Sequence, residues 1–324
     1  MPKATTTYPP ETIGSVMSSK VPTCRLSDSR TTILEVLSKG EWDSVHQIYV
    51  IDQENKLRGI IDIALLLKTD ANIDIQKIMQ PTKTFLHPYA DQETAVFQAV
   101  KNDIITIPVV DGEGNFLGAV TAHSIIDIMH EEHVEDALLT AGIRGETSII
   151  KLATERTSLI VRSRAPWLVF GLLVGLGLGL ISSRFEESLR RTVAIAYFIP
   201  VVAYIADSVG TQTEAIAVRA LATLKVNQFA YLFKELLVGL VLGLIVGMLG
   251  GIGAMLIASS TKIGIVVALS LFVASTMAAV IAALIPIIFK RLGKDPALGS
   301  GPLATALQDV ISILAYFTFA TVLI

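Results

Sequence analysis

The sequence predicts two folds in two solvents: an α/β tandem repeat in the cytoplasm, joined by a connecting helix to an all-α membrane domain of five transmembrane helices. Three observations predict it. The chain of 324 residues is 52% hydrophobic, with charges dense before Ala165 and sparse after it, which is too apolar for an ordinary soluble protein. The polar half repeats itself at a spacing of about sixty residues: IGSVM at Ile13 is echoed by IQKIM at Ile75, and IYVIDQENKLRGIIDI at Ile48 by IPVVDGEGNFLGAVTA at Ile107. The apolar half contains five stretches close to the roughly 20 residues that cross a bilayer as a helix.

In chain order this gives an N-terminal tail at 1–10, a first repeat at 11–72, a second at 73–137, the connecting helix at 138–165 and the membrane domain at 166–324. Each repeat holds an apolar helical stretch, a β-branched strand, a polar turn with Asp and Gly or Asn, and a second strand that ends after Gly59 or Gly118. Such a duplication resembles a pair of CBS domains, regulatory modules that pack as a pseudo-twofold pair. Many CBS pairs bind adenine nucleotides through a Thr or Ser followed three residues later by Asp. This sequence departs from that pattern, with Thr121 and Ser124 in the second repeat and Asp62 and Leu65 in the first.

The opening MPKATTTYPPET lacks the charged-then-apolar pattern of a cleaved signal peptide, so the N-terminal half is expected to stay in the cytoplasm. A single cysteine, Cys24, has no partner for an internal disulfide. Residues 1–143 carry 20 acids against 11 bases, a balance of −9, which argues against nucleic acid and for cations.

After the second repeat, IIDIMHEEHVEDALL places five acids within a short helix. Spacings of three and four put Asp127, Glu131 and Glu135 on one face with Glu132 and Asp136 beside it. Held together, these carboxylates repel unless a cation sits among them; the alternative is a solvated acidic face. His130 and His133 read as surface histidines, because HEEH lacks the four-residue histidine spacing of a zinc protease. The following ETSIIKLATERTSLIVRSRAPW alternates Lys151, Arg156, Arg162 and Arg164 with apolar residues up to Trp167, as a helix approaching the cytoplasmic interface does.

The five expected spans are 166–183, 193–220, 229–258, 263–289 and 301–324. With the N-terminus inside, ten basic residues flank the cytoplasmic ends (Lys151, Arg156, Arg162, Arg164, Arg219, Lys225, Lys234, Lys290, Arg291, Lys294) against four outside (Arg184, Arg190, Arg191, Lys262), as the positive-inside rule requires. A carboxylate within a span costs at least a few kcal/mol and normally faces a cavity, a partner or an ion. Asp207 and Glu214 lie in the second span and Asp309 in the fifth, while Glu235, beside Lys234 near an end of the third, is expected to snorkel. Thr305, Asp309, Ser312 and Tyr316 recur at spacings of four, three and four, and Asp207, Thr211 and Glu214 recur likewise beside Ser208, Gly210 and Gln212. One polar stripe on each of two helices points to a permeation path; hydrogen bonding between helices is the alternative.

The segments FIPVVAYIADSVGTQTEAIAVRAL and KRLGKDPALGSGPLATALQDVISILAYF resemble the second helix and the fourth-to-fifth helix region of the MgtE family of magnesium transporters, a resemblance that runs over 11–324. It implies a homodimer of five-helix subunits in the plasma membrane, multi-pass, with the N-terminal half cytoplasmic and a pore along the dimer interface lined by the second and fifth helices. Asp309 matches the family aspartate of the pore ion site. Asp207, Ser208, Gly210, Thr211, Gln212, Glu214, Thr305 and Ser312 become the pore-lining candidates. Asp127, Glu132, Glu135 and Asp136, with Glu131 on the same face, look like the cation-sensing carboxylates, and Ser124 stands where another acid is expected. Where the family often has Gly-Gly-Asn on the second helix, Asp207 and Ser208 replace the last two. Members commonly carry an acidic helical domain ahead of the CBS pair, which these residues do not include.

The implied function is import of Mg²⁺, gated by intracellular Mg²⁺, with Mg²⁺ and the bilayer as partners and no nucleic acid. The alternatives are transport of another divalent cation such as Mn²⁺ or Co²⁺, or a CBS-regulated membrane sensor that conducts nothing. An enzyme is not expected, because no histidine follows His133 and no metal-ligand motif occurs in the spans. Acids along the path are equally ill suited to an anion channel.

Overall fold

Both sequence repeats build the same antiparallel hairpin, closed by the same turn. The computed structural model describes residues 8–70, 73–143, 154, 156–223 and 226–324, and the chain divides into two units, Met1–Glu132 and His133–Ile324.

In the first unit the chain runs through α1 (Ile13–Val16), β1 (Thr23–Arg25), α2 (Arg30–Lys39), β2 (Gln47–Ile51), β3 (Leu57–Asp62), α3 (Ile63–Lys68), α4 (Ile75–Ile78), α5 (Glu93–Asn102), β4 (Ile107–Val110), β5 (Phe116–Val120) and the start of α6 (Ala122–Thr140). β1 pairs in parallel with β2, which pairs antiparallel with β3; β4 and β5 form a second antiparallel pair. Each hairpin turn is organised by an aspartate. Asp52 Oδ1 accepts from the N–H groups of Glu54 and Lys56, both at 2.9 Å, and Asp111 Oδ1 accepts from those of Glu113 and Asn115 at 2.9 and 2.8 Å. The two turns meet, Phe116 N–H donating to Asn55 C=O at 2.8 Å and Leu57 N–H to Gly114 C=O at 3.3 Å. Beside them Tyr49 stacks on Phe116 with centroids 4.8 Å apart.

The repeats exchange their leading segments. Ile13 of α1 packs with Ile107, Val109, Val120 and Ile128, while Ile75 of α4 packs with Ile48, Val50, Ile61 and Cys24. Gly59 makes one crossing possible, since a Cβ there would sit 2.7 Å from the Gln80 carbonyl oxygen. The residues at the nucleotide-pattern positions are spent on helix caps: the Asp62 carboxylate accepts from Ala64 N–H at 2.7 Å, and Thr121 Oγ1 accepts from Ser124 N–H at 3.3 Å.

The second unit holds α7 (Thr157–Ser183), α8 (Glu186–Arg191), a 3₁₀ turn (Val193–Phe198), α9 (Ile199–Thr223), α10 (Gln228–Ala258), α11 (Thr261–Arg291), a second 3₁₀ turn (Pro296–Gly299) and α12 (Pro302–Leu323). Five helical segments are long and apolar enough to cross a membrane: Thr157–Ser183, Val193–Leu221, Gln228–Ala258, Thr261–Arg291 and Pro302–Leu323. The first starts at Thr157 rather than 166, because the helix already includes the basic residues before Pro166 and runs on past it, although Pro166 has no N–H to donate. Of the connecting helix expected at 138–165, residues 138–140 end α6 and 157–165 open α7, while 144–153 and 155 lie outside the described residues.

α11 is the centre of the bundle. It packs against α9, α10 and α12, and its Val266, Leu271, Ala274 and Ala278 join Phe198, Val202 and Ala206 of the second span and Tyr316 and Ala320 of α12 in one core. α10 meets it through glycines at every fourth position, Gly239, Gly243, Gly247 and Gly251, all buried. α7 buries no residue within the chain and its neighbour is α12.

Candidate cation site

α9 and α12 run antiparallel. Glu214 reaches Gly301, Gly210 faces Gln308, Asp207 meets Thr305, and Ile195 ahead of α9 meets Tyr316. Along this seam the polar residues do different work at different depths.

At the outer end the seam is dry. Tyr316, fully buried, donates its hydroxyl to the Ile195 carbonyl at 2.6 Å. Ser312, also buried, donates back along its own helix to the Gln308 carbonyl at 2.7 Å. Both satisfy themselves within the packing, so the expected stripe on α12 does not continue outward as a cavity lining.

Nearer the N-terminus of α12 the seam opens. A cavity of about 740 Å³ is bordered by Thr211, Glu214, Thr305 and Asp309 on one side and by Trp167, Leu168, Gly171 and Val174 of α7 on another. Asp309 is half-buried there, and among the described residues no hydrogen-bond donor reaches its carboxylate. Asp207 accepts from Thr305 Oγ1 at 3.0 Å and lies close enough to act electrostatically on both Asp309 and Glu214. A carboxylate that borders a cavity without a described donor is arranged to receive positive charge.

The remaining candidates on α9 divide. Glu214 is only 3% exposed, and its carboxylate accepts from Gly301 N–H at the start of α12, while the Ser300 hydroxyl donates to the Ala297 carbonyl at 2.6 Å. It caps that helix as well as bordering the cavity. Thr211 is exposed toward the cavity. Ser208 donates to the Tyr204 carbonyl at 2.7 Å, Gly210 is buried against the Gln308 amide, and Gln212 is exposed outside the cavity lining.

Gln308 was passed over in the sequence. It is 2% exposed, and its Oε1 has no hydrogen-bond partner. It stands three residues after Thr305 and four before Ser312, so the spacing that marked the stripe carried it as well. Glu235 corrects a second expectation. Rather than snorkelling, it is 5% exposed and turned toward α9, where Thr213 Oγ1 donates to it at 3.4 Å; Lys234 beside it is exposed. The Tyr231 hydroxyl lies near Glu235 but outside hydrogen-bond geometry.

The acids of α6 do not share one environment. Asp127 and Glu131 are exposed, and Asp127 lies 3.3 Å from His123. Glu132 accepts from Gln92 Nε2 at 2.8 Å, and Glu135 is half-buried. In the second unit Asp136 Oδ2 is 2.8 Å from Arg219 Nη1, and Arg219 Nη2 also reaches the His133 ring at 2.6 Å. Burial raises the Asp136 pKa above the usual carboxylate range, with Arg219 opposing the shift. Among the described residues no three His, Cys, Asp or Glu side chains are placed to hold one metal ion. Mg²⁺ does not require three, since it keeps several waters and takes one or two carboxylates.

Residues 199–319 match a family described as a divalent cation transporter, MgtE, and residues 13–71 and 75–131 each match the CBS domain. The magnesium transporter MgtE of Enterococcus faecalis is 31% identical over 325 residues, covering 97% of this chain and 69% of that protein. The magnesium transporter MgtE of Bacillus subtilis is 30% identical, covering 87% and 62%, and that of Thermus thermophilus is 29% identical, covering 98% and 71%. Among solved structures, the soluble part of a magnesium transporter aligns with TM-score 0.37 at 28% identity, covering 39% of this chain and 50% of that one.

Proposed function

Because this chain belongs to the MgtE family of divalent cation transporters, we propose that it imports Mg²⁺ across the plasma membrane through a pore on the axis of a homodimer, and that intracellular Mg²⁺ closes that pore. Its relatives are transporters and not enzymes, and its five apolar helices make it a multi-pass membrane protein.

The observation that carries the reading is Asp309, a carboxylate at a cavity wall within a membrane span that no described donor satisfies. A hydrated ion there meets further polar surface for its water shell, because Thr211 and Thr305 border the same space. Two copies of Asp309, one from each protomer, give a hydrated dication a resting point between them without removing its water shell. Such binding is weak enough to permit exit. Asp207 adds a carboxylate where the family often has a small residue, which bears on the choice among divalent cations.

Regulation is assigned to the acids of α6. At high internal Mg²⁺ the ion bridges the carboxylates of Asp127, Glu131, Glu132 and Glu135 to an opposing surface of the dimer and holds the closed state. At low Mg²⁺ their mutual repulsion favours the open one. The N-terminal half faces the cytoplasm in this reading, supported by Arg162, Arg164, Lys290, Arg291 and Lys294 flanking the spans on that side.

The test is uptake into liposomes carrying the purified full chain, with Mg²⁺ competed by Mn²⁺, Co²⁺ and Ca²⁺. Saturable Mg²⁺ entry, least inhibited by Ca²⁺, is expected. No entry of any divalent cation would leave the sensor reading in its place, and preferred entry of Mn²⁺ or Co²⁺ would reassign the substrate.

A further inference from the structure

Resting on the reading that internal Mg²⁺ closes the pore, we infer that Arg219 is a positioning residue that couples α6 to the cation site, and that Asp136 serves this coupling instead of holding a regulatory ion.

The inference starts from how α9 is held at its cytoplasmic end. Arg219 Nη1 lies 2.8 Å from Asp136 Oδ2, and the pair is largely shielded, with side chains 31% and 16% exposed. Arg219 Nη2 lies 2.6 and 3.0 Å from the two ring nitrogens of His133. A guanidinium has only donors to offer, so the ring presents a lone pair to it. Five residues earlier on the same helix, the Glu214 carboxylate accepts from Gly301 N–H. One helix therefore grips α6 with its last turns and the N-terminus of α12 with the turn before.

The two gripped segments also touch each other. A Cβ on Gly301 would collide with the Thr140 carbonyl at the end of α6, and Gly301 adopts φ 68° and ψ −120°, a backbone conformation reserved for glycine. Gly142 lies against Pro302, and Leu139 packs with Val218 of α9 and Ala297 of the turn before α12. Asp309 follows Pro302 by seven residues, about two helical turns or roughly 10 Å along the axis. A displacement of His133–Thr140 therefore acts on the N-terminus of the helix that carries Asp309, through packed contacts within one unit.

The same geometry argues against Asp136 as an ion ligand. Its carboxylate already lies against a guanidinium in a mostly buried place, and a Mg²⁺ ion arriving there would face that positive charge at close range. Binding of Mg²⁺ to Asp136 and pairing with Arg219 exclude each other. The regulatory ion is left to the other α6 acids, with Arg219 carrying its effect to the pore.

The experiment measures Mg²⁺ uptake by the full chain in liposomes loaded with a series of internal Mg²⁺ concentrations, for wild type, Arg219→Gln, Asp136→Asn and the double variant. Coupling predicts that each single substitution raises the internal Mg²⁺ needed for half-closure by about fivefold or more. Uptake at the lowest internal Mg²⁺ stays near wild type, which also reports correct folding. The double variant shifts no further than either single one, as residues acting through one contact do. If Asp136 were an ion ligand, Arg219→Gln would remove a repulsive charge and lower the half-closing concentration; that opposite shift would overturn the inference, as would no shift in a wild type that is itself sensitive. A wild type indifferent to internal Mg²⁺ would instead remove the gating reading, and the coupling with it.

Discussion

Helices α10 and α11 and helices α9 and α12 are two neighbouring pairs in one apolar bundle, and they are joined in opposite ways. Between α10 and α11 side chains are nearly dispensed with. A Cβ on Gly243 would sit 2.7 Å from the Phe272 carbonyl oxygen, one on Gly247 2.7 Å from that of Ala268, and one on Gly251 2.8 Å from that of Gly264. The polar groups at this contact are buried and mostly satisfied by main chain, as when Thr276 Oγ1 donates to its own helix at Phe272 C=O, 2.7 Å away. Between α9 and α12 the joint is made by carboxylates and hydroxyls, and it leaves a cavity. Polar residues in a span therefore do not by themselves mark a path. What marks it is a polar group that the protein leaves unsatisfied beside open space.

The contrast can be broken most forcefully at the dry pair. Gly243→Val forces a branched side chain against the Phe272 backbone, where overpacking costs about 1–3 kcal/mol and occasionally more. Thermal unfolding in detergent should show a clearly lowered midpoint. Thr211→Ala, on the exposed wall of the wet pair, should leave the midpoint within about 0.5 kcal/mol of wild type and change uptake instead. Equal destabilisation by both would mean that the two joints do not differ in kind.

Glu235 sits between these extremes, buried yet reached by Thr213. Glu235→Ala leaves that hydroxyl without its acceptor and should destabilise the bundle by about 1–3 kcal/mol, with Glu235→Gln costing less because it keeps an acceptor. The same unfolding series separates the two. Matching behaviour of Ala and Gln would show that the carboxylate makes no stabilising contact.

A smaller effect is expected at Thr305. Thr305→Val removes the hydroxyl held to Asp207 and should change half-saturation by external Mg²⁺ by about 2- to 10-fold, the equivalent of a hydrogen bond worth roughly 0.5–1.5 kcal/mol. Thr305→Ser should restore it. Failure of Ser to do so would assign the effect to the methyl group and its packing.

The mildest probe uses thiol labelling. Burial pushes the Cys24 thiol from 9.0 up to about 12, so it stays neutral and unreactive at pH 8. Because that pKa is raised on folding, the associated stability is complete below the unfolded value and is lost as the pH climbs through about 12. Against this silent background Thr211→Cys should label at pH 8 and be slowed by Mg²⁺, whereas Ser275→Cys, at a position fully buried in α11, should not label. Labelling of both would erase the wet and dry distinction.

Much of this was legible in the residues. The duplicated strands announced themselves by alternation and by repetition of the Asp-led turn, and five spans by length and hydropathy. Which core a segment joins was not legible, since Ile13 and Ile75 have the same local pattern and their exchange is decided by packing between repeats. The stripe Thr305, Asp309, Ser312 and Tyr316 was read correctly as one face of a helix. Periodicity reports a face and not a depth, and the face is wet at Asp309 but packed on Ile195 at Tyr316. Glu235 misled for a related reason: proximity to a helix end suggests snorkelling, whereas its direction around the helix turns it inward.

The most direct measurement is Mg²⁺ uptake by Asp309→Asn, which preserves shape and removes the charge, in liposomes matched for protein content with wild type. The account predicts that entry falls by more than about tenfold, a loss of over roughly 1.4 kcal/mol, while the unfolding midpoint holds. Uptake at the wild-type rate with an amide in that position would contradict it.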